Sequence, residues 1–168
     1  MSKQLELTPS QQRLLDEAEG WLGLGDPAEA GDALAKLPPD VASRPDVLSV
    51  NWHIHAAQKK WEAALEIASA LTEAAPDSPF GWVHRSFCLH ELKRTLEARD
   101  NLLPVLDRFA DDALMRYNLA CYECQLGNPD QAMDWLWKAF KMGDTRKFRE
   151  MALEDPDLEP LKEKIREM

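Results

Sequence analysis

The stretch YNLACYECQLGNPDQAMDWLWKAF, residues 117–140, decides the fold because its features recur along the chain. Ala132 within it is the last of four alanines spaced by 34 residues, after Ala30, Ala64 and Ala98. A fixed period of this length is typical of architectures built from stacked structural repeats. The stretch is therefore one unit of a repeat.

Other columns of the sequence keep the same phase. Gly25 and Gly127 are separated by three such periods, and both lie in a Leu-Gly-Asx-Pro context. Large or apolar residues recur sixteen places before three of the four alanines, at Leu14, Leu48 and Trp82, while Arg116 takes the fourth place. These columns define units over residues 11–44, 45–78, 79–112 and 113–146.

Each unit has the pattern of two helices, because apolar residues recur three and four places apart and no strand-like alternation is present. A capping side chain stands directly before a proline at several predicted helix starts, which suits the first turn of a helix. These pairs are Thr8-Pro9, Asp26-Pro27, Ser78-Pro79, Asn128-Pro129 and Asp155-Pro156. The predicted helices span 9–24, 27–37, 46–58, 61–75, 79–92, 95–109, 113–126, 129–142, 145–153 and 156–167.

A 34-residue helix-turn-helix unit resembles the tetratricopeptide repeat. The fourth unit carries the clearest resemblance, through Tyr117, Asn118, Leu119, Ala120, Gly127, Ala132 and Ala139. The resemblance implies an all-α fold, a right-handed superhelix (α-solenoid) of four helix-turn-helix repeats followed by a C-terminal capping helix. It also implies a single domain over residues 1–168, in which 147–168 form a short helix and the cap.

Two departures from the repeat pattern are expected to disturb its regularity. Trp52 occupies the column in which Ala18, Ser86 and Ala120 are small, so the second unit must pack differently. Pro104 lies inside a predicted helix, and an interior proline usually kinks or breaks a helix. We therefore expect a bend near Leu103.

Composition limits the possible partners and the cellular setting. The chain has 30 acidic and 20 basic residues, a net charge of −10, which argues against nucleic acid as the main partner. No apolar run is long enough to cross a membrane, and the first residues lack the apolar centre of a secretory signal. Three cysteines are a poor disulfide framework, so a reduced, cytoplasmic setting is expected.

The resemblance implies that the first helix of each unit lines a concave groove that binds another protein. The lining columns are mostly apolar and contain no lysine or arginine, which favours an apolar, neutral to basic peptide or helix as partner. Phe87 and Tyr117 are the predicted anchors, unless they pack between helices or a terminal segment fills the groove. The predicted lining is Leu15, Glu19, Leu22, Ser49, His53, Phe80, Val83, Phe87, His90, Leu114, Tyr117, Cys121 and Cys124.

Catalytic and metal chemistry find little support in the sequence. Cys121 and Cys124 share a helix face, but they lie deep in a predicted helix with no cation to lower a thiol pKa, so we interpret them as core residues. His53 and His90 fall in the same lining columns as these cysteines, yet they come from successive helices roughly 10 Å apart. No metal, no cofactor and no catalytic residue is predicted.

The prediction is therefore a non-catalytic scaffold or adaptor for other proteins. The alternative is a dedicated chaperone for one secreted or assembly-prone client, and the remote alternative is a metal- or redox-dependent enzyme. The protein is expected to be a monomer or a weak homodimer, the latter if Trp137 and Phe140 are exposed.

Overall fold

The computed structural model describes residues 6–168, and within that range it contains α-helices, three short 3-10 helices and no β-strand. The prediction of an all-α fold is confirmed. The 3-10 helices span Pro39–Val41, Leu103–Val105 and Pro156–Leu161. The α-helices are α1 Pro9–Gly23, α2 Pro27–Leu34, α3 Pro45–Ala57, α4 Trp61–Ala74, α5 Pro79–Glu91, α6 Thr95–Leu102, α7 Ala113–Gln125, α8 Pro129–Met142, α9 Thr145–Glu154 and α10 Lys162–Glu167.

Side-chain caps mark the starts of α1, α2, α7 and α9. Thr8 and Gln11 form a reciprocal capping box at the start of α1, and Asp26 accepts from the backbone N–H of Glu29 at the start of α2. Asn128, before α8, makes no cap bond, and its side-chain amide donates to Glu123 at 2.8 Å instead. The predicted cap at Asn128 is therefore wrong, although α8 still starts at Pro129.

The 34-residue period is visible in the backbone itself. Gly25, Lys59, Lys93 and Gly127 have positive φ angles of 80°, 55°, 64° and 82°, and successive members are 34 residues apart in the sequence. Each lies in the short turn between two helices, where the left-handed conformation ends the first helix. The turn therefore recurs even where lysine, which adopts this conformation at a cost, replaces glycine.

Two compact units divide the chain within α5: the described residues up to His84 form one, and Arg85–Met168 form the other. We call them the N-terminal unit and the C-terminal unit. The N-terminal core consists of small and branched side chains from α1, α2 and α3, among them Leu15, Ala18, Ala30, Val50 and Ile54. A continuous apolar seam of this kind is what the repeat columns encode.

The C-terminal unit contains the rest of α5 and everything that follows it. Its fully buried side chains include some from α7 and α8 and others from the last two segments of the chain, Pro156–Leu161 and α10. Leu119 and Leu136 represent the first group, and Leu158 and Ile165 the second. The last segments therefore complete this core.

Two predicted helices end earlier than their apolar pattern suggests. The helix predicted over 95–109 stops at Leu102, and a 3-10 turn over Leu103–Val105 carries Pro104. Proline cannot supply the backbone N–H that an α-helix needs at that position, so the chain turns instead of bending. The helix predicted over 27–37 likewise ends at Leu34, ahead of Pro38 and Pro39.

Arg116 compensates for the early end of α6. Its guanidinium donates to the carbonyl oxygens of Phe109 at 2.7 Å and Asp112 at 2.9 Å, with a longer contact to that of Leu106 at 3.4 Å. These carbonyls belong to the loop between α6 and α7, where those of Leu106 and Phe109 each also accept one backbone N–H, at 3.2 and 3.1 Å. A nearly buried arginine in an apolar column thus fixes this loop.

Candidate binding surfaces

Four aromatic and imidazole rings gather on the N-terminal unit, and we call them the ring patch: Trp52, His53, Phe80 and His84. The rings of Phe80 and His84 are stacked at 3.8 Å between centroids, and Trp52 meets His84 edge-on at 4.1 Å. His53 lies 5.6 Å from Phe80 and is itself exposed. Trp52 itself is buried, so His53 and Phe80 are the rings of the patch that a partner would meet, and aromatic side chains are enriched among interface anchors.

The ring patch is uncharged at neutral pH. Burial lowers the pKa of His84 to about 4, and a hydrogen bond from its Nδ1 to the carbonyl of Phe80, at 2.8 Å, offsets this only in part. Burial also lowers the pKa of His53, while the carboxylate of Glu19 raises it. Both imidazoles are therefore neutral, and Glu19 gives the neighbourhood its negative charge.

The neutral state of His84 predicts a specific loss of stability in acid. An unfolded histidine protonates near pH 6.5, whereas folded His84 does so near 4. The unfolded state therefore binds more protons between these values, so this contribution is complete above pH 6.5 and is lost as pH falls to 4. Between pH 7 and pH 4, we expect the free energy of unfolding to fall by about 2 kcal/mol more in the wild type than in His84→Phe. Urea unfolding at both pH values tests this, and equal losses in the two proteins would contradict it.

The other predicted lining residues of the N-terminal unit differ in exposure. Glu19 is exposed, and Leu22 and Ser49 are half-buried, with the Ser49 hydroxyl donating to the carbonyl of Pro45 at 2.7 Å. Leu15 and Val83 are buried and belong to the core. A ligand on this unit would therefore meet Glu19, His53 and Phe80.

In the C-terminal unit, the chain's own residues cover the predicted lining. The hydroxyl of Tyr117 donates to Asp155 at 2.8 Å, and the Cys121 sulfur lies 3.5 Å from the same carboxylate oxygen. The Phe148 ring lies 5.7 Å from that of Tyr117, which is only 4% exposed. A partner could reach the predicted anchor Tyr117 only by displacing these residues.

The segment Pro156–Leu161 adds to this cover, because its Asp157 contacts His90 of α5 and Gln125 of α7. His90 Nε2 lies 2.7 Å from the carboxylate of Asp157, while His90 Nδ1 lies 3.0 Å from the hydroxyl of Thr95. The side-chain amide of Gln125 donates to the carbonyl of Asp157 at 2.8 Å. Of the remaining lining residues in this unit, Leu114 is exposed, whereas Phe87 and Cys124 are half-buried.

The cysteine pair has no feature of an activated thiol. Burial raises the pKa of the Cys121 and Cys124 thiols, and Asp155 and Asp157 raise it further. The third cysteine, Cys88, is fully buried. In residues 6–168, no three histidine, cysteine or acidic side chains come close enough together to hold a metal ion.

Comparison with solved structures identifies the fold. PilF of Pseudomonas aeruginosa superposes on 94% of this chain and 70% of its own with a TM-score of 0.74 and 21% identity. The fold is that of a tetratricopeptide-repeat protein. A MamA double mutant from RS-1 shares this repeat fold over 81% of this chain and 76% of its own, with a TM-score of 0.70 and 12% identity. MamA from MSR-1 does so over 82% and 78%, with a TM-score of 0.67 and 19% identity.

Sequence comparison is less informative than structure for this tetratricopeptide-repeat fold. No protein-family model matches the chain, and no curated protein matches it. Across the described part of the chain, no helix combines the length and the apolar character needed to span a bilayer.

Proposed function

We propose that the protein is a non-catalytic interaction scaffold whose partner binds the ring patch of the N-terminal unit. The observation that carries this proposal is the contrast between the two units: His53 is exposed and Phe80 is half-buried, whereas Tyr117 and Cys121 are buried and contact the chain's own Asp155. Similarity to other tetratricopeptide-repeat structures supports a scaffold in general terms. The chemistry of the ring patch indicates which kind of partner it would bind.

The partner that fits the ring patch is an apolar segment with a lysine or arginine. Neutral rings favour apolar side chains and attract cations to their faces, and Glu19 offers a carboxylate nearby. A net charge of −10 adds a long-range attraction for basic segments. We further propose a reducing, cytoplasmic setting, because Cys88, Cys121 and Cys124 are free thiols.

Affinity capture from lysate of the source cells tests this proposal with two charge variants. Glu19→Lys with His53→Lys places cations on the exposed border of the ring patch. Glu66→Lys with Ala70→Lys adds the same charge at exposed positions of α4 and is the matched control. We expect the wild type and the control to capture the same partner, and the patch variant to lose at least nine-tenths of it, because cations would now repel a basic segment.

Circular dichroism must show that all three proteins are folded. Equal capture by the patch variant and the control would contradict binding at the ring patch. A stable equimolar complex with one client would favour the dedicated-chaperone alternative, whereas several partners in fast exchange would favour an adaptor.

A further inference from the structure

A second exposed aromatic site lies on α8, in the C-terminal unit. Trp137 is 52% exposed and borders a depression of about 290 Å³, and we call the residues that line this depression the Trp137 patch. Phe140 also lines the depression and is buried, so of the two residues whose joint exposure would favour a homodimer, Trp137 is exposed and Phe140 is not. An exposed tryptophan beside a depression is a recognised interface anchor. The patch consists of Trp137, Phe140, Lys141, Thr145, Arg149 and Met168.

The Trp137 patch contains two cations, Lys141 and Arg149, that have no acidic partner among the described residues. The ammonium group of Lys141 lies 3.7 Å above the centre of the Trp137 ring, and Arg149 Nε is buried without a hydrogen-bond partner. Within residues 6–168, neither cation has a carboxylate within ion-pair distance. Two other basic residues of the C-terminal unit do have acidic partners, since Arg146 pairs with Glu150 and Lys164 lies 4.0 Å from Asp130.

A buried guanidinium nitrogen without an acceptor costs free energy, and a carboxylate supplied by a ligand would recover it. The Trp137 and Phe140 rings offer an apolar surface beside the same cations. The site therefore favours a ligand that carries a negative charge next to an apolar group.

We propose that the Trp137 patch binds an acidic peptide segment of a partner protein, with a carboxylate on Lys141 and Arg149 and an apolar side chain against Trp137. The depression is at the small end of the roughly 300–1,000 Å³ of small-molecule pockets, which suits one side chain and its neighbour. This site is independent of the ring patch and has the opposite charge preference. The protein would thus present one surface for a basic segment and another for an acidic one.

Selection from a random library of twelve-residue peptides on phage tests the proposal with the full chain. The selection uses wild-type protein, with counter-selection on Lys141→Glu, which reverses one exposed cation. Arg13→Glu makes the same change on α1, where Arg13 is exposed, and is the matched control. We expect selected peptides to be enriched in Asp or Glu beside Leu, Met or an aromatic residue.

The binding of one selected peptide, synthesised and labelled, is then measured by fluorescence anisotropy. Its dissociation constant should rise at least tenfold for Lys141→Glu and for Trp137→Ala, and stay within twofold for Arg13→Glu. Higher salt should weaken binding, because the charges involved are near the surface. The proposal is overturned if no peptide is selected, if selected peptides lack acidic residues, or if the three variants bind alike.

Two further measurements distinguish an acidic peptide from other possible occupants of the Trp137 patch. Vesicles of phosphatidylglycerol that bind the wild type, while no acidic peptide does, would assign the patch to a membrane surface instead. Light scattering that shows a dimer lost in Trp137→Ala would assign it to a second copy of this chain. Either result would overturn the proposal of a peptide partner.

Discussion

Replacing Leu158 with alanine is expected to destabilise the protein by about 3 kcal/mol, within the range of buried leucine truncations. The Leu158 side chain is 0% exposed, and its 3-10 helix contacts α7, α8, α9 and α10 in the C-terminal unit. Truncation would leave a cavity at the point where the chain closes this core. It would also loosen Asp155 and Asp157, which precede Leu158 and contact Tyr117 and His90.

Leu96→Ala is the matched control for this experiment, because Leu96 is 52% exposed on α6. The same chemical change there should cost at most about 0.5 kcal/mol. Chemical denaturation monitored by tryptophan fluorescence measures both values. Equal losses of stability in the two variants would mean that Pro156–Leu161 is not part of the folded core of the C-terminal unit.

Arg116→Met is expected to cost about 3 kcal/mol, because a nearly buried guanidinium that bonds three carbonyl oxygens would be lost. Methionine fills a similar volume but donates no hydrogen bond, so the carbonyls of Phe109 and Asp112 would lose this donor. Arg116→Lys keeps the charge without the forked geometry and should recover only part of the loss.

Arg146→Met is the control for Arg116, since the Arg146 side chain is almost fully exposed and makes one ion pair, with Glu150. Its loss should change stability by less than about 1 kcal/mol. Hydrogen exchange should also show faster exchange over residues 103–112 in Arg116→Met alone. Unchanged exchange in that loop would mean that Arg116 does not hold it.

Much of the fold could be predicted because the signals are local. Proline at the first helical position fixes the start of α1, α2 and α8 to the residue, and the 34-residue column fixes the turns at Gly25 and Gly127. The ends of α2 and α6 were harder to predict from the sequence, because the apolar pattern continues through Leu37 and beyond Pro104. There the backbone chemistry of proline overrides the periodicity.

The candidate sites depend on contacts between residues far apart in sequence, which no column reveals. Repeat columns place Tyr117 and Cys121 on one helix face, but Asp155, which covers that face, is 38 residues from Tyr117. The Asp155-Pro156 pair indicated only a helix start. The ring patch was also missed as a unit, although Trp52 in a column of small residues was its visible signal, since the indole packs against His84.

We expect partners to bind the ring patch while the α7 face with Tyr117 and Cys121 stays covered by Asp155. Hydrogen exchange of the complex with the captured partner tests this expectation most directly, because it reports each helix separately. We predict added protection in the segments that contain Ser49–His53 and Phe80–His84, and no change over Tyr117–Gln125 or Pro156–Leu161. Protection over Tyr117–Gln125 together with faster exchange over Pro156–Leu161 would contradict the claim, because the partner would then displace the C-terminal segment.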